Sequence, residues 1–274
     1  MKAVDLHTHT NASDGYLTPL ELLEQAHLAG IELLSITDHD TTAAYRHLDW
    51  ANLVHLQLIA GVEFSTQWRS TGVHVLGLNV GLDSDVLQFA TTFQSDARAL
   101  RATRIAEKLE KIGVPDPMAG ALRFAGDAAI GRPHFARHMV ECGFVKDLSA
   151  AFKKHLGAGK IGDIKQHWAS MQQIIDWIRD SGGIAVLAHP GKYGLTRTKR
   201  LALIDEFQLL GGRGLEVISG AQDPELTATL AATASAKGLL ASCGSDFHEP
   251  KRPWASLGMK LDLPPQCRPI WDAW

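Results

Sequence analysis

The sequence predicts an α/β fold of about seven β/α units with one helical insertion. Three observations carry this. Short apolar runs recur along the chain, helix-start signals stand between them, and residues 98–168 contain no convincing strand and differ in charge from the rest.

Taken in order, the runs are Val4–His7, Leu33–Thr37, Leu58–Glu63, His74–Leu78, Ile184–His189, Leu215–Ile218 and Leu239–Cys243. Each is short and dominated by apolar residues, the pattern of parallel strands covered on both faces rather than of hairpins. Thr18-Pro19-Leu20-Glu21 offers an N-cap, a proline at the first helical position and a glutamate at the third. Ser170 opens another helix, with Ile174, Trp177 and Ile178 on its inner side, and Gly182-Gly183 ends it. The insertion holds 13 Lys+Arg against 7 Asp+Glu, whereas the rest of the chain holds 14 against 23. The expected organisation is therefore an acidic body, residues 1–97 and 169–274, carrying a small basic helical cap, residues 98–168.

Composition narrows the class. With 274 residues, 45% hydrophobic and 21% charged, the chain suits one soluble globular unit with a single large core. No apolar stretch approaches the roughly 18 residues of a membrane span. MKAVDLHTHT lacks a signal-peptide core, and Cys142, Cys243 and Cys267 form no framework, so a cytoplasmic location is expected. Nothing points to a membrane or to an obligate protein partner. A glycine-rich P-loop and a GxSxG elbow are both missing, which disfavours nucleoside triphosphate turnover and serine-hydrolase chemistry.

Thirteen histidines are the first functional signal, because six of them fall in short signatures, nearly all at strand ends. The first run ends His7-Thr8-His9, and alternation along a strand turns both imidazoles to one face. Asp14 follows in a Ser-Asp-Gly turn. The second run ends Thr37-Asp38-His39-Asp40 and the third ends at Glu63. Ala188-His189-Pro190 and Ser245-Asp246-Phe247-His248 end later strands. In barrels and open parallel sheets, chemistry sits at the carboxyl ends of strands. His74 is the exception, standing at a strand start. Six histidines and three carboxylates exceed what one ion takes, so two or three divalent ions are expected. The absence of thiolates suits Mn²⁺, Zn²⁺ or Fe²⁺.

The ordered motifs HTHT-x4-DG, ITDHD, GVE, HVLGL, AHPGKY and GSDFH resemble those of the polymerase-and-histidinol-phosphatase (PHP) family. Such a resemblance implies a distorted (β/α)7 barrel with an inserted small helical cap, acting as a metal-dependent phosphoesterase. Further likeness in RPHFARHMVECG, FKKHLGAGK, QHWAS and LPPQCRPIW extends to a bacterial subgroup of 5'→3' exoribonucleases and nucleoside 3',5'-bisphosphate phosphatases. The resemblance implies three ions, with Mn²⁺ first choice. His7, His9, Glu63 and Asp246 would hold one, Glu63, His74 and His189 a second, and Asp14, His39 and His248 a third. Lys192 stands where close relatives carry arginine, which keeps the charge but loses the bidentate fork.

Around this centre the expected catalytic residues are Glu63, Asp246, His189, Arg132 and His134. Substrate contacts are expected from Arg132, His134, Lys160 and Lys192. Arg132-Pro133-His134 opens a helix, whose free N–H groups suit a phosphate. Arg98, Arg101, Arg104, Lys108 and Lys111 step by three or four, which makes a stripe that is either a solvated helix face or a track for a polyanion. Asp5 and Asp38 are candidates for orienting the imidazoles or for capping backbone, and Glu216 ends a strand nearby. The expected substrates are 5'-phosphorylated RNA or short oligonucleotides, and nucleoside 3',5'-bisphosphates such as pAp. A metal-dependent amidohydrolase is the distant alternative.

Overall fold

The structure is a computed structural model that describes residues 3–46, 48, 56–164 and 167–274. Gln166, in the QHWAS stretch, lies outside the described residues.

Seven strands form one sheet in chain order: β1 (Val4–Thr8), β2 (Leu33–Ile36), β3 (Gln57–Trp68), β4 (Thr71–Leu78), β5 (Ile184–Leu187), β6 (Gly214–Ser219) and β7 (Leu240–Gly244). The sheet curls so that the segment after β7 meets β1. Asp246 N donates to His7 O at 2.8 Å, and His9 N donates to Phe247 O at 2.8 Å. Gly244 makes this closure possible, because a side chain there would run into His7. The result is a nearly closed barrel whose open-ended strand tips all lie beside one another.

The expectation of purely parallel strands needs correction. β3 and β4 form an antiparallel hairpin, with Ser65 opposite His74 and Trp68 opposite Thr71, and β4 also runs antiparallel to β5. This resolves the His74 exception. The start of a reversed strand lies at the same barrel end as the carboxyl ends of its parallel neighbours.

The helices follow their signals. α1 (Pro19–Leu28) and α6 (Met171–Asp180) both open with complete capping boxes, at Thr18–Glu21 and Ser170–Gln173. α7 (Arg197–Leu209) and α8 (Pro224–Lys237) cover the later strands. Between β4 and α6 lie α2 (Asp85–Lys111), α3 (Pro117–Ala125), α4 (Arg132–Glu141) and α5 (Leu148–Ala151), followed by a π-helical turn, Phe152–Leu156. Leu87 and Ala90 of α2 pack into the barrel core, whereas Ala102, Ile105 and Leu109 belong to a separate apolar cluster reaching to Ile164. One helix thus runs unbroken from barrel to cap, with no joint at residue 98. Among the described residues no helix is long and apolar enough to cross a membrane.

Candidate metal centre

Strand geometry brings the nine expected ligands to one end of the barrel. β1 delivers His7, and His9 follows one residue past the strand end, with ring centroids 5.2 Å apart. β3 delivers Glu63, and the reversed β4 delivers His74. Asp14, His39, His189, Asp246 and His248 come from the segments that follow strand ends. His189 and Asp246 have positive φ angles of 25° and 57°, in a region that L-residues avoid. Backbone strain of this kind persists where surrounding structure holds a side chain in a required direction.

Glu63 lies at the middle, fully buried. Its Oε1 is 2.8 Å from His74 Nδ1 and 2.9 Å from His189 Nε2. Its Oε2 is 3.0 Å from His39 Nδ1 and 3.3 Å from both His7 Nε2 and His9 Nε2. Asp246 Oδ1 stands 3.5 Å from each of those last two nitrogens. Asp14 Oδ1 is 3.3 Å from His248 Nε2, and its Oδ2 is 3.8 Å from His39 Nε2.

Four overlapping groups have donor atoms within 4.8 Å of one another: His9, Asp14, His39 and His248; His7, His9 and Asp246; His7, Glu63 and His189; and His39, Glu63 and His74. The grouping differs from the tidy division implied by resemblance, since His7, His9 and His39 each stand between two sets, as Glu63 does. The atoms fit cations. His7 Nε2, both ring nitrogens of His9, His39 Nδ1, Asp14 Oδ1 and Glu63 Oε2 are buried without a hydrogen-bond partner. Leaving one such group unpaired costs about 1–3 kcal/mol, so six aimed at one volume call for a shared positive partner. N and O donors without thiolates suit first-row divalent ions.

Electrostatics agree with this reading. Burial raises the pKa of Glu63, but neighbouring imidazoles, His74 foremost and His7 among them, outweigh it and hold the carboxyl well below the usual range. Burial likewise opposes ionisation of Asp246 and Asp14, and neighbouring histidines again prevail. Burial pushes His39 down to about 4, against the pull of Glu63 and Asp14. Burial also opposes charge on His7 and His9, yet Glu216 and Glu63 raise His7 well above the usual imidazole range, and Asp246 and Glu63 raise His9 to about 10. The ionised carboxylates thus hold positive charge on these rings, which a divalent ion would supply in place of the protons.

Support for the cluster comes from residues that the sequence marked weakly or not at all. Glu216 Oε1 accepts from His7 Nδ1 at 2.9 Å, and Oε2 accepts from the His189 backbone N–H. Register shifts interrupt β1 between Asp5 and Thr8 and β6 between Glu216 and Ile218, so irregular pairing flanks both partners. Tyr193 hydroxyl accepts from His74 N and donates to Ala188 O, both at 2.8 Å, which ties β4 to the segment bearing His189. Asp5 does not orient an imidazole; its Oδ1 accepts from Ser245 N at 2.9 Å and His7 N at 3.3 Å. Asp38 accepts from Thr10 N, Thr10 Oγ1 and Ser13 Oγ, and so holds the turn that carries Asp14. Lys192 Nζ lies 2.7 Å from Asp246 Oδ2.

The cap residues separate into two kinds. Arg132 is half-buried; its Nη1 donates to Leu156 O at 3.2 Å and stands 3.7 Å from Asp163. His134 Nδ1 accepts from Gly131 N at 3.0 Å, which leaves the ring proton on Nε2. Burial pushes His134 down to about 4, so the imidazole is neutral. Lys160 is exposed on the loop that carries Asp163. The proposed stripe on α2 is not one surface. Arg98 is buried against Asp40, with Nη2 at 2.6 Å from Oδ2, and lies over the Trp168 ring. Arg101 is buried too, donating to Ile164 O at 2.7 Å. Arg104 is exposed and pairs with Glu107 at 3.1 Å. Periodicity placed these residues on one helix face without revealing that α2 turns the first part of that face inward.

The PHP domain matches residues 5–184, the span from β1 to the start of β5. This chain belongs to the PHP family. As a PHP protein it is 42% identical over 274 residues to the 5'-3' exoribonuclease Rnm of Salmonella typhimurium, covering 98% of this chain and 93% of the relative. It is 39% identical over 273 residues to a 3',5'-nucleoside bisphosphate phosphatase of Chromobacterium violaceum, covering 99% and 96%. A solved structure described as an amidohydrolase from Chromobacterium violaceum, with bound sulfate and no metal, superposes with a TM-score of 0.90 at 38% identity over 99% of this chain and 95% of that one. A structure from Bifidobacterium adolescentis, described as a metal-dependent phosphoesterase, gives 0.80 at 27% identity over 99% and 94%. Similarity to the relatives therefore runs through the cap as well as the barrel.

Proposed function

We propose that this PHP protein is a divalent-metal-dependent phosphoesterase that removes 5'-mononucleotides from 5'-phosphorylated RNA in the 5'→3' direction. The same site would remove the 3'-phosphate from nucleoside 3',5'-bisphosphates. The observation that carries the reading is the nine-residue histidine–carboxylate cluster, in a chain that matches the exoribonuclease relatives over nearly their whole length. His7, His9, Asp14, His39, Glu63, His74, His189, Asp246 and His248 would hold the ions, three of them in our reading, with Mn²⁺ preferred. When bound, such ions acidify water and neutralise charge on phosphoryl oxygens.

The chain's own groups supply position and charge. Glu216 fixes the His7 ring through Nδ1, leaving Nε2 to face the cluster. Arg132 and the neutral His134 would hold a terminal 5'-phosphate at the N-terminus of α4, where main-chain N–H groups add their dipoles. Lys192, paired with Asp246, would bring a cation to the rim where the reacting phosphate sits. With the 5'-phosphate held there, the phosphorus on the 3' oxygen of the same nucleotide faces the cluster. A bisphosphate then loses its 3'-phosphate, and an RNA loses its first nucleotide and acquires a new 5'-phosphate.

The test is turnover of pAp and of a 5'-phosphorylated oligoribonucleotide by protein stripped with a chelator and reloaded with Mn²⁺. Activity should vanish on stripping and return on reloading, and a 5'-hydroxyl oligonucleotide should be a poor substrate. Glu63→Ala should lose at least about a thousandfold, since the central carboxylate serves two sets of donors. Turnover that survives stripping, or hydrolysis confined to amides, would overturn the assignment.

A further inference from the structure

A cleft of about 510 Å³ runs outward from the metal centre between cap and barrel. The candidate ligands Asp14 and His248 are part of its lining, Phe152 and Leu148 give it an apolar wall, and Arg137, Glu249, Lys251, Arg252 and Trp254 are also among its lining residues. Trp254 is 60% exposed, unusual for a side chain of its size. Its main chain is nonetheless fixed within a short 3₁₀ turn, Pro253–Ala255, and its carbonyl accepts from Ala221 N at 2.7 Å. A solvated indole on an anchored backbone offers a flat face in the same cleft as Asp14 and His248.

The charges are unevenly committed. Arg252 is held by Glu249 at 2.6 Å. Asp14 faces His248 and His39. Among the described residues Arg137 reaches a main-chain oxygen, Asp14 O at 3.5 Å, and Lys251 is exposed. Two cations for which no carboxylate partner stands among the described residues, and the exposed face of Trp254, therefore border a cleft shared with the candidate metal ligands Asp14 and His248.

We propose that this cleft binds the nucleotide immediately 3' of the scissile bond in an RNA substrate. Its base stacks on Trp254, and its phosphate is met by Arg137 and Lys251. The proposal rests on the exoribonuclease reading and adds to it the device that separates a polymer from a bisphosphate, since pAp ends within the metal centre and the Arg132 pocket. It also relocates the polyanion track, because the α2 arginines that sequence periodicity nominated are buried at Arg98 and Arg101. Alternating aromatic faces and cations are how single strands are held without sequence preference.

The experiment compares Trp254→Ala, Trp254→Phe and Lys251→Glu with the unmutated protein on pAp and on a 5'-phosphorylated decamer across a salt series. Removing a stacking face should lower kcat/KM for the decamer by roughly 5- to 100-fold. The phenylalanine variant should recover most of that loss. Lys251→Glu should flatten the salt dependence by about 0.7 in log–log slope for a lost phosphate contact. Turnover of pAp should stay within about twofold for all three, which also shows that the variants fold. Parallel losses on both substrates, or no loss on either, would overturn the proposal. An unmutated protein that turns over pAp but not the decamer would instead sink the exoribonuclease reading itself, and the cleft proposal with it.

Discussion

Glu216 shows how much a single side chain outside the donor set can control. It is buried, it touches no candidate ion donor other than His7 through a ring nitrogen, and its second oxygen holds the strained His189 backbone. Glu216→Gln keeps the shape but removes the charge that selects the His7 tautomer. Metal affinity should fall about 10- to 100-fold, while the metal-free melting temperature changes little. Titration calorimetry with Mn²⁺ checks this; an unchanged affinity would make Glu216 purely structural. His134 carries a different signature. Its native pKa is pushed down to about 4 chiefly by burial, below the unfolded value near 6.5. The unfolded chain therefore binds more protons between those values, so stability falls as pH drops from about 6.5 towards 4 and levels off below. His134→Gln should abolish that share of the slope, on the order of 1–3 kcal/mol in denaturant titrations between pH 7 and 4.

At the scale of elements, α2 is the joint between barrel and cap, and one buried ion pair locks it. Asp40, at a positive φ of 57°, receives Arg98 Nε at 2.7 Å, Gln94 Nε2 at 2.8 Å and Ser65 N at 2.7 Å. Breaking a buried pair by removing one partner leaves an uncompensated charge. Asp40→Ala should destabilise by about 3–5 kcal/mol, whereas Arg104→Ala, which breaks an exposed pair on the same helix, should stay within about 1 kcal/mol. Chemical denaturation of the two variants makes the comparison. Similar small losses would mean that α2 is held by its apolar contacts alone.

Across the whole molecule, the candidate metal centre gathers the tips of β1, β3, β4, β5 and β7 and the segment beyond β2. Ions bound there would couple almost every strand to its neighbours. A ligand at about 100 times its dissociation constant stabilises by roughly 2.7 kcal/mol, worth about 5 °C or more in a chain of this size. Reloading stripped protein with Mn²⁺ should raise Tm by at least that amount, and stripping should leave a folded barrel, because Glu63 already lies among five imidazoles. The Glu63→Ala variant should lose most of the metal-dependent rise. A Tm indifferent to Mn²⁺ would separate the cluster from metal binding.

All seven strands were legible from apolar runs, because a strand buried on both faces must be apolar along its length. Most candidate ligands were legible too, since alternation and strand-end placement are local properties of the chain. Helix starts at Thr18 and Ser170 were readable for the same local reason. Direction and covering were not. The reversal of β4 depends on which neighbours it pairs with, and a short apolar run is the same pattern in either direction, so only the hairpin explains His74. The spacing of Arg98, Arg101 and Arg104 places them on one helix face, yet whether that face meets Asp40 and Trp168 or water depends on packing against distant segments. Glu216 and His7, 209 residues apart, meet only because the barrel closes. Local patterning determined the parts and their chemistry; which parts face one another was decided by tertiary structure, because burial and pairing are properties of neighbours that the chain order does not contain.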